Sequence, residues 1–391
     1  VSERPLRAAI LPPAPAHYRE PLFEALAAVP GLESTVIYQS AGHTSWDAAP
    51  GFFATEHRYP AQHLGSRQRA RPGRSPIVWP VGLERALSAA DPDVVVAVEY
   101  GAASLRALRW CRTHRRGFVI LSDCTPQIDA LLSPVQLALH RVLARHAERM
   151  IVVSSAGRQR LERFGVPAER IVLAPQAGAL EPMRAAAALA VREGPSAPAP
   201  PPLIVLSAGR LVPDKNFATL ISAVADADPT GERLALEIAG TGSEQATLRA
   251  LAAERGIEVT FYGAVAPAEM AARYAHAHVF ALVSTFEPFG VVIREAVAAG
   301  LPIIAGRNAG AAGDVARAGE NAILVDPTDV PQISAALLRL ADDDARRARM
   351  AAASRTIDAA DDGADVRAFT QAIRDAAPAR HGRRRAASLT E

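Results

Sequence analysis

Short runs of Val, Ile, Leu and Ala recur along the chain, each followed by a stretch in which apolar positions fall three or four apart. In the first half the runs are LRAAIL (6–11), ESTVIYQ (33–39), DVVVAVE (93–99), GFVILSD (117–123), RMIVVSS (149–155) and RIVLAPQ (170–176). Their apolar character is continuous rather than alternating, which predicts strands buried on both faces of a parallel sheet. Helical spacing fills the intervals, as in YREPLFEALAAV (18–29), GAASLRALRWCRTH (101–114) and SPVQLALHRVLARHAE (133–148). This alternation predicts a doubly wound α/β domain over residues 1–184.

The pattern then breaks. AAAALAVREGPSAPAPPP (185–202) is rich in Ala, Pro and Ser and reads as a linker. Strand-like runs restart after it: LIVLSAG (203–209), LALEIAG (234–240), IEVTFYG (257–263), AHVFALVS (277–284), LPIIAG (301–306) and NAILVD (321–326). The expectation is a second Rossmann-like domain over 203–363, facing the first across a cleft. A last helical stretch at about 364–377 is expected to pack back on the first domain, and 379–391 to be a disordered tail.

Composition narrows the class. The 391 residues are 49% hydrophobic and 21% charged, as expected of a globular enzyme. Residues 1–180 hold 21 Arg against 15 acids, about +6, whereas the remainder is about −4. GSRQRARPGRS (65–75) is either a solvated loop or a surface for an anionic acceptor or a membrane. The two cysteines, Cys111 and Cys124, make no disulfide framework and fit a reducing cytoplasm. No apolar run is long enough to span a bilayer and the first residues do not read as a signal peptide, so a cytoplasmic protein, at most peripheral to the membrane, is expected. No recognised nucleic-acid-binding module is present. Of the 43 basic residues only one, Lys215, is lysine.

Ligands of open α/β sheets bind outside the carboxyl ends of the strands, and four such ends in the second half carry polar residues. SAGRLVPDKN (207–216) places Gly209, Arg210 and Lys215 on one loop, a bidentate fork and a point charge suited to a diphosphate. AGTGSEQATL (239–248) holds Gly240 and Gly242, which permit close backbone approach but lack the third glycine of a dinucleotide fingerprint. STFEPFGVVIREAVAAGLP (284–302) is the most specific: Glu287, a turn through Phe289 and Gly290, then a helix whose first N–H groups, at Gly290, Val291 and Val292, form an anion site. Two carboxylates beside a phosphate site must face hydroxyls instead, and a nucleotide sugar has hydroxyls on both sides of its diphosphate. Glu287 then serves the sugar and Glu295 the ribose. AGRNAGAAGDV (305–315) is either a plain strand–helix connection or a loop that sets Asn308, Ala309 and Gly310 under such a sugar.

The order Gly-Arg-Leu…Lys-Asn, Gly-x-Gly, FYGAV, then Glu-x-Phe-Gly with a second Glu eight residues after the first, resembles retaining glycosyltransferase family 4. The likeness covers nearly all of 203–340 and, more loosely, the first domain, where PPAPAHYREPLFEAL (12–26) resembles the opening of some members. It implies the glycosyltransferase B fold, two Rossmann-like domains. It also implies a UDP-, GDP- or ADP-sugar donor and no metal or other cofactor. Arg210 and Lys215 would bind the diphosphate, Glu295 the ribose, and Glu287 with the Phe289–Val292 backbone the donor sugar and distal phosphate. Tyr262 to Val265 would lie near the base. Departures are equally specific. Many members have a His after a first-domain strand, where this chain has LSDCTPQ (121–127), so Asp123 or Thr125 is expected to take part of that role. The family's Gly-Gly turn is replaced by LPPAPAHYRE, leaving His17, Tyr18 and Arg19 as acceptor-side candidates, and Asp314 stands where a Glu is more usual.

The chemistry implied is cleavage of a glycosyl–phosphate bond, helped by charge stabilisation on the departing diphosphate. The acceptor is a glycan, a lipid-linked or a small molecule. A phosphorylase on the same fold and a non-catalytic nucleotide-sugar-binding subunit are the competing readings. Asp91 and Asp93, and Asp342 and Asp344, have Asp-x-Asp spacing but sit away from strand ends, so no metal site is expected.

Overall fold

The computed structural model describes residues 4–41, 56–71, 74–176, 178, 180–192 and 202–378. The chain first lays down β1 (Leu6–Leu11), α1 (Glu20–Ala27), β2 (Leu32–Tyr38) and β3 (Ala61–His63). A hairpin of β4 (Ser66–Arg71) and β5 (Arg74–Pro80) follows, then α2 (Leu83–Ala90), β6 (Val94–Val98) and α3 (Ala102–His114). Next come β7 (Gly117–Ser122), α4 (Pro134–His146), β8 (Arg149–Val152), α5 (Ser155–Arg163) and β9 (Ile171–Leu173). Seven parallel strands form one sheet in the order β3-β2-β1-β6-β7-β8-β9. β6 and β7 are buried along their whole length, as their unbroken apolar runs require.

After α6 (Glu181–Arg192) the same logic repeats. β10 (Leu203–Ala208), α7 (Phe217–Ala227), β11 (Leu234–Ala239), α8 (Gln245–Glu254) and β12 (Val259–Gly263) precede α9 (Pro267–His276), β13 (Val279–Leu282), α10 (Val291–Ala298), β14 (Ile303–Gly306) and β15 (Ala322–Val325). The six strands are parallel in the order β12-β11-β10-β13-β14-β15. α11 (Val330–Ala341), α12 (Asp344–Ala360) and α13 (Ala364–Ala376) close the described chain.

Two expectations need correction. Residues 185–192 are not linker but the body of α6, whose Met183 and Ala187 are buried, as is Leu180 just before it, and whose Arg184 is held by Asp358 of α12 at 2.7 Å and by Asp362 at 3.0 Å. The Ala-rich composition is that of a good helix former with a 3.6-residue apolar stripe. α6 packs on α9 and α10 of the second unit, so the chain crosses between units at 174–180, and 193–201 lie outside the described residues. The basic stretch 65–75 is a β-hairpin rather than a loop. α13 returns to the first sheet and lies against β7, β8 and β9; a Cβ at Gly117 would meet Ala376 O at 2.1 Å. The tail 379–391 is outside the described residues.

Candidate active site

Both sheets end their strands toward one cleft, and the loops at those ends hold the polar residues. In the second unit the loops are fitted backbone to backbone. Gly209 N donates to Ala239 O at 2.9 Å and Leu211 N to Thr241 O at 2.8 Å. A Cβ on Gly240, whose φ is +143°, would lie 1.8 Å from Gly209 O, and one on Gly242 would lie 2.3 Å from Leu211 O. The Gly-x-Gly turn therefore makes room for the neighbouring loop, which fixes where Arg210 and Lys215 emerge.

Lys215 closes a short 3-10 turn, Pro213–Lys215. The next residue, Asn216, is left-handed (φ +57°) and ties the turn down: its Nδ2 donates to Val283 O at 3.1 Å and to Pro327 O at 2.6 Å. Asn tolerates this conformation better than most residues. Arg210 is exposed on the same loop. Lys215 Nζ donates to Glu287 Oε2, with both side chains largely buried. The pairing of the single lysine with Glu287 was not read from the sequence, which assigned the two to different parts of a ligand.

The Glu287 turn is clamped from outside. Gly310 N donates to Glu287 O at 3.0 Å and Ala311 N to Phe289 O at 2.8 Å, and a Cβ on Gly310 would meet Pro288 O at 1.9 Å. Phe289 is buried. Gly290 (φ +96°) caps α10, whose first residues, Val291 and Val292, are half-buried and whose first N–H groups have no partner earlier in the helix. Glu295 lies two turns on, buried, and accepts a 2.8 Å hydrogen bond from Tyr274 OH. Burial pushes its carboxyl up to about 7, against the pull of the Tyr274 bond. Gly178, on the crossing segment, sits beside Val291 and Glu295. Tyr262, one residue before the end of β12, has the Arg273 guanidinium 4.0 Å from its ring centroid, and Val265 packs at the rim of the core.

The first unit presents a different surface. Half-buried His17 and Tyr18 lead a 3-10 turn that ends in buried Arg19, whose Nη2 is 3.9 Å from Asp123 Oδ2. Burial works against the charge on Arg19, but Tyr18, Asp123 and Glu99 outweigh it and raise its pKa. Asp123 N donates to Glu99 Oε1 at 2.8 Å, while Ser122 Oγ (3.2 Å) and Cys124 Sγ (3.3 Å) donate to Glu99 Oε2. Burial first, and the adjacent Asp123 carboxylate second, raise Glu99 well above the usual carboxyl range. Glu99 is a non-glycine residue at φ +63°, held by its N–H to Leu121 O at 2.8 Å. Sequence reasoning missed it; the signal was an acid at the carboxyl end of an otherwise apolar strand.

Thr125 is buried and donates to Gln127 Oε1, and Gln127 Nε2 reaches Asn308 O of the second unit at 3.1 Å. Asp314 crosses the other way, accepting from Ser155 N at 2.8 Å at the start of α5. Glu99, Asp123 and Cys124 offer potential ligand atoms within 4.8 Å of one another, but the Cys124 S–H and two other protein donors already occupy the Glu99 oxygens. The Asp-x-Asp pairs are structural: Asp91 and Asp93 are held by Arg4, Arg7 and Arg116, Asp342 by Arg233 and Asp344 by Arg347.

Residues 194–357 match the model of the family described as glycosyl transferases group 1, and residues 22–177 that of glycosyltransferase family 4. The chain is 31% identical over 274 residues to a GDP-mannose-dependent alpha-(1-6)-phosphatidylinositol monomannoside mannosyltransferase of Mycobacterium tuberculosis, covering 67% of this chain and 70% of that one. It is 38% identical over 155 residues to a D-inositol 3-phosphate glycosyltransferase of Corynebacterium glutamicum, 38% of this chain and 37% of that one. Anabaena HepE in complex with UDP and glucose superposes with a TM-score of 0.72 over 95% of this chain and 98% of its own, at 20% identity. Sucrose-phosphate synthase from Thermosynechococcus elongatus gives 0.73 over 94% and 98%, also at 20%.

Proposed function

The chain belongs to glycosyltransferase family 4, and from that premise we propose that this glycosyltransferase moves a hexose from a nucleoside-diphosphate sugar to an acceptor hydroxyl, with retention at the anomeric carbon and without a metal. The reading rests on one observation: the Arg210–Lys215 loop, the Glu287 turn, the Gly290 helix start and Glu295 converge at the carboxyl edge of the second sheet. Arg210 and Lys215 hold the diphosphate. Lys215 leaves Glu287 for the phosphate when donor binds, and the freed carboxylate accepts hydroxyls of the sugar. The leading N–H groups of α10 take the distal phosphate, whose developing charge is the main target of catalysis. Glu295 receives the ribose hydroxyls, and Tyr262 and Val265 flank the base.

Two cations and a helix start supply the positive charge a metal would otherwise bring. The bond between the anomeric carbon and the phosphate oxygen breaks as the acceptor oxygen attacks from the same face. The departing phosphate oxygen takes the acceptor proton, so no protein nucleophile is required. Arg19 and Asp123 line the acceptor side, with Glu99 beneath them. The test is a thermal-shift series with UDP, GDP and ADP and their sugars, GDP-mannose first because a 31% identical relative is named for it. A nucleotide at a hundred times its Kd adds about 2.7 kcal/mol of stability and raises Tm. Turnover of the matching sugar in the presence of EDTA, with NMR of the product anomer, checks the rest. An inverted product, or no nucleotide that raises Tm, defeats the reading, and binding without turnover supports the non-catalytic subunit.

A further inference from the structure

All exposed large apolar side chains among the described residues lie between residues 77 and 142, in the first unit. The hairpin shows why. Cross-strand partners Arg67↔Trp79 and Arg69↔Ile77 share a face, and all four are exposed, whereas Gln68, Val78 and Pro80 turn inward. Trp79 is 51% and Ile77 48% exposed, and Val81 extends the row. β5 packs on α3, and α3 packs on α2 and α4, so the apolar row continues across neighbouring elements. Leu105 is exposed on α3, and Val135, Ala138 and Val142 form an exposed stripe on α4, with Val135 79% exposed.

Charge follows the same elements. Exposed arginines accompany the apolar positions: Arg67 and Arg69 on the hairpin, Arg85 and Arg109 on α2 and α3, Arg141 and Arg145 on α4. The acids there are engaged, Glu84 by Arg106 and Asp91 by Arg7 and Arg116. The hairpin leaves the sheet just past His63, the carboxyl end of β3, so it stands on the same edge as the cleft.

We propose that these elements dock on an anionic lipid bilayer, with Trp79 and Ile77 at the headgroup boundary and the arginines on the lipid phosphates. An aromatic–aliphatic row flanked by arginines, with no unpaired acid among them, fits that interface: the apolar tips gain burial while the guanidinium groups stay at headgroup level. Docking also turns the mouth of the cleft toward the lipid surface. The proposal stands apart from the donor chemistry.

The experiment is co-sedimentation of the purified chain with vesicles of equimolar phosphatidylcholine and phosphatidylglycerol, and with phosphatidylcholine alone, in the absence of donor. The expected result is sedimentation with the mixed vesicles only, with a blue shift in tryptophan emission that Trp79→Ala abolishes. Arg67→Glu with Arg69→Glu lowers partitioning about a hundredfold or more, since it removes two cations and adds two anions. Nucleotide binding by both variants stays at the wild-type level, which shows that they fold and separates this proposal from the donor assignment. The proposal is overturned if the chain stays in the supernatant, if both vesicle types bind equally, or if the double variant sediments like the wild type. It is equally overturned if Trp79→Ala changes the chain from dimer to monomer without altering vesicle binding.

Discussion

The two edges that face the cleft are built in different ways. The edge of the second sheet is backbone fitted to backbone: loop 209–211 lies on loop 240–242, and loop 309–311 on the turn at 287–289, with glycines at each close approach. The edge of the first sheet is gathered on side chains, Arg19 beside Asp123, and the Asp123 N–H, Ser122 Oγ and Cys124 Sγ all on the Glu99 carboxyl. A backbone-built edge holds its shape whatever it binds, which suits a ligand part common to many donors. A side-chain-built edge changes its hydrogen bonding and charge with each substitution, which suits an acceptor that differs from one family member to another.

That contrast is broken most severely at a glycine. Gly240→Val places a branched side chain where even Cβ would be 1.8 Å from a carbonyl oxygen. Overpacking together with the φ of +143° costs roughly 3 kcal/mol or more. Nucleotide binding is expected to disappear and the urea midpoint to fall. Lys215→Ala comes next: the loop survives, but loss of one charge on the leaving group lowers kcat/KM by about 10²–10³ in a steady-state assay. Near-normal turnover in that variant would remove the diphosphate role.

Glu295 gives a smaller effect with a definite sign. Its carboxyl is raised from 4.5 to about 7 in the folded chain, so between those values the unfolded chain releases a proton that the folded chain keeps. This group's contribution to stability is therefore complete below about pH 4.5 and is lost as pH rises to 7. Ribose hydroxyls donate best to the ionised form, so nucleotide affinity should rise about tenfold from pH 6 to 8 by titration calorimetry. Glu295→Gln should flatten both slopes.

The mildest change tests the other edge. Glu99→Gln keeps an acceptor for Asp123 N but can put an amide N–H where Oε2 accepts from Ser122 Oγ and Cys124 Sγ, disturbing about one hydrogen bond, a few-fold to tenfold effect. Acceptor-dependent turnover should fall by that amount while donor Kd stays within about twofold. A loss of donor affinity as large as the loss of turnover would erase the distinction between the edges.

The same difference explains what could be read before the fold was known. Continuous apolar strands follow from burial on both faces, and the glycines from close approach at Gly240 and Gly242 and from backbone conformation at Gly209 and Gly290, so they stand out in a single sequence. The Lys215–Glu287 pair and the position of Glu99 follow from side-chain directions 72 and 24 positions apart in the chain, from Lys215 to Glu287 and from Glu99 to Asp123, and composition carries no trace of that. The hairpin at 66–80 was hidden because its outward face sets Arg67 and Arg69 opposite the exposed Trp79 and Ile77, so neither strand shows the usual apolar-in, polar-out alternation. The helix at 181–192 was hidden by alanines, which serve linkers and helices alike.

The polypeptide passes between the two units twice, at 174–180 and again at 361–363 before α13. The two passages are neighbours: Gln176 from the first and Asp365 and Phe369 just after the second line one small cavity with Arg19. A door hung on two adjacent pins swings but does not twist. Any swing of one unit against the other about these passages has to break the Gln127–Asn308 and Ser155–Asp314 hydrogen bonds, which tie the units together away from them.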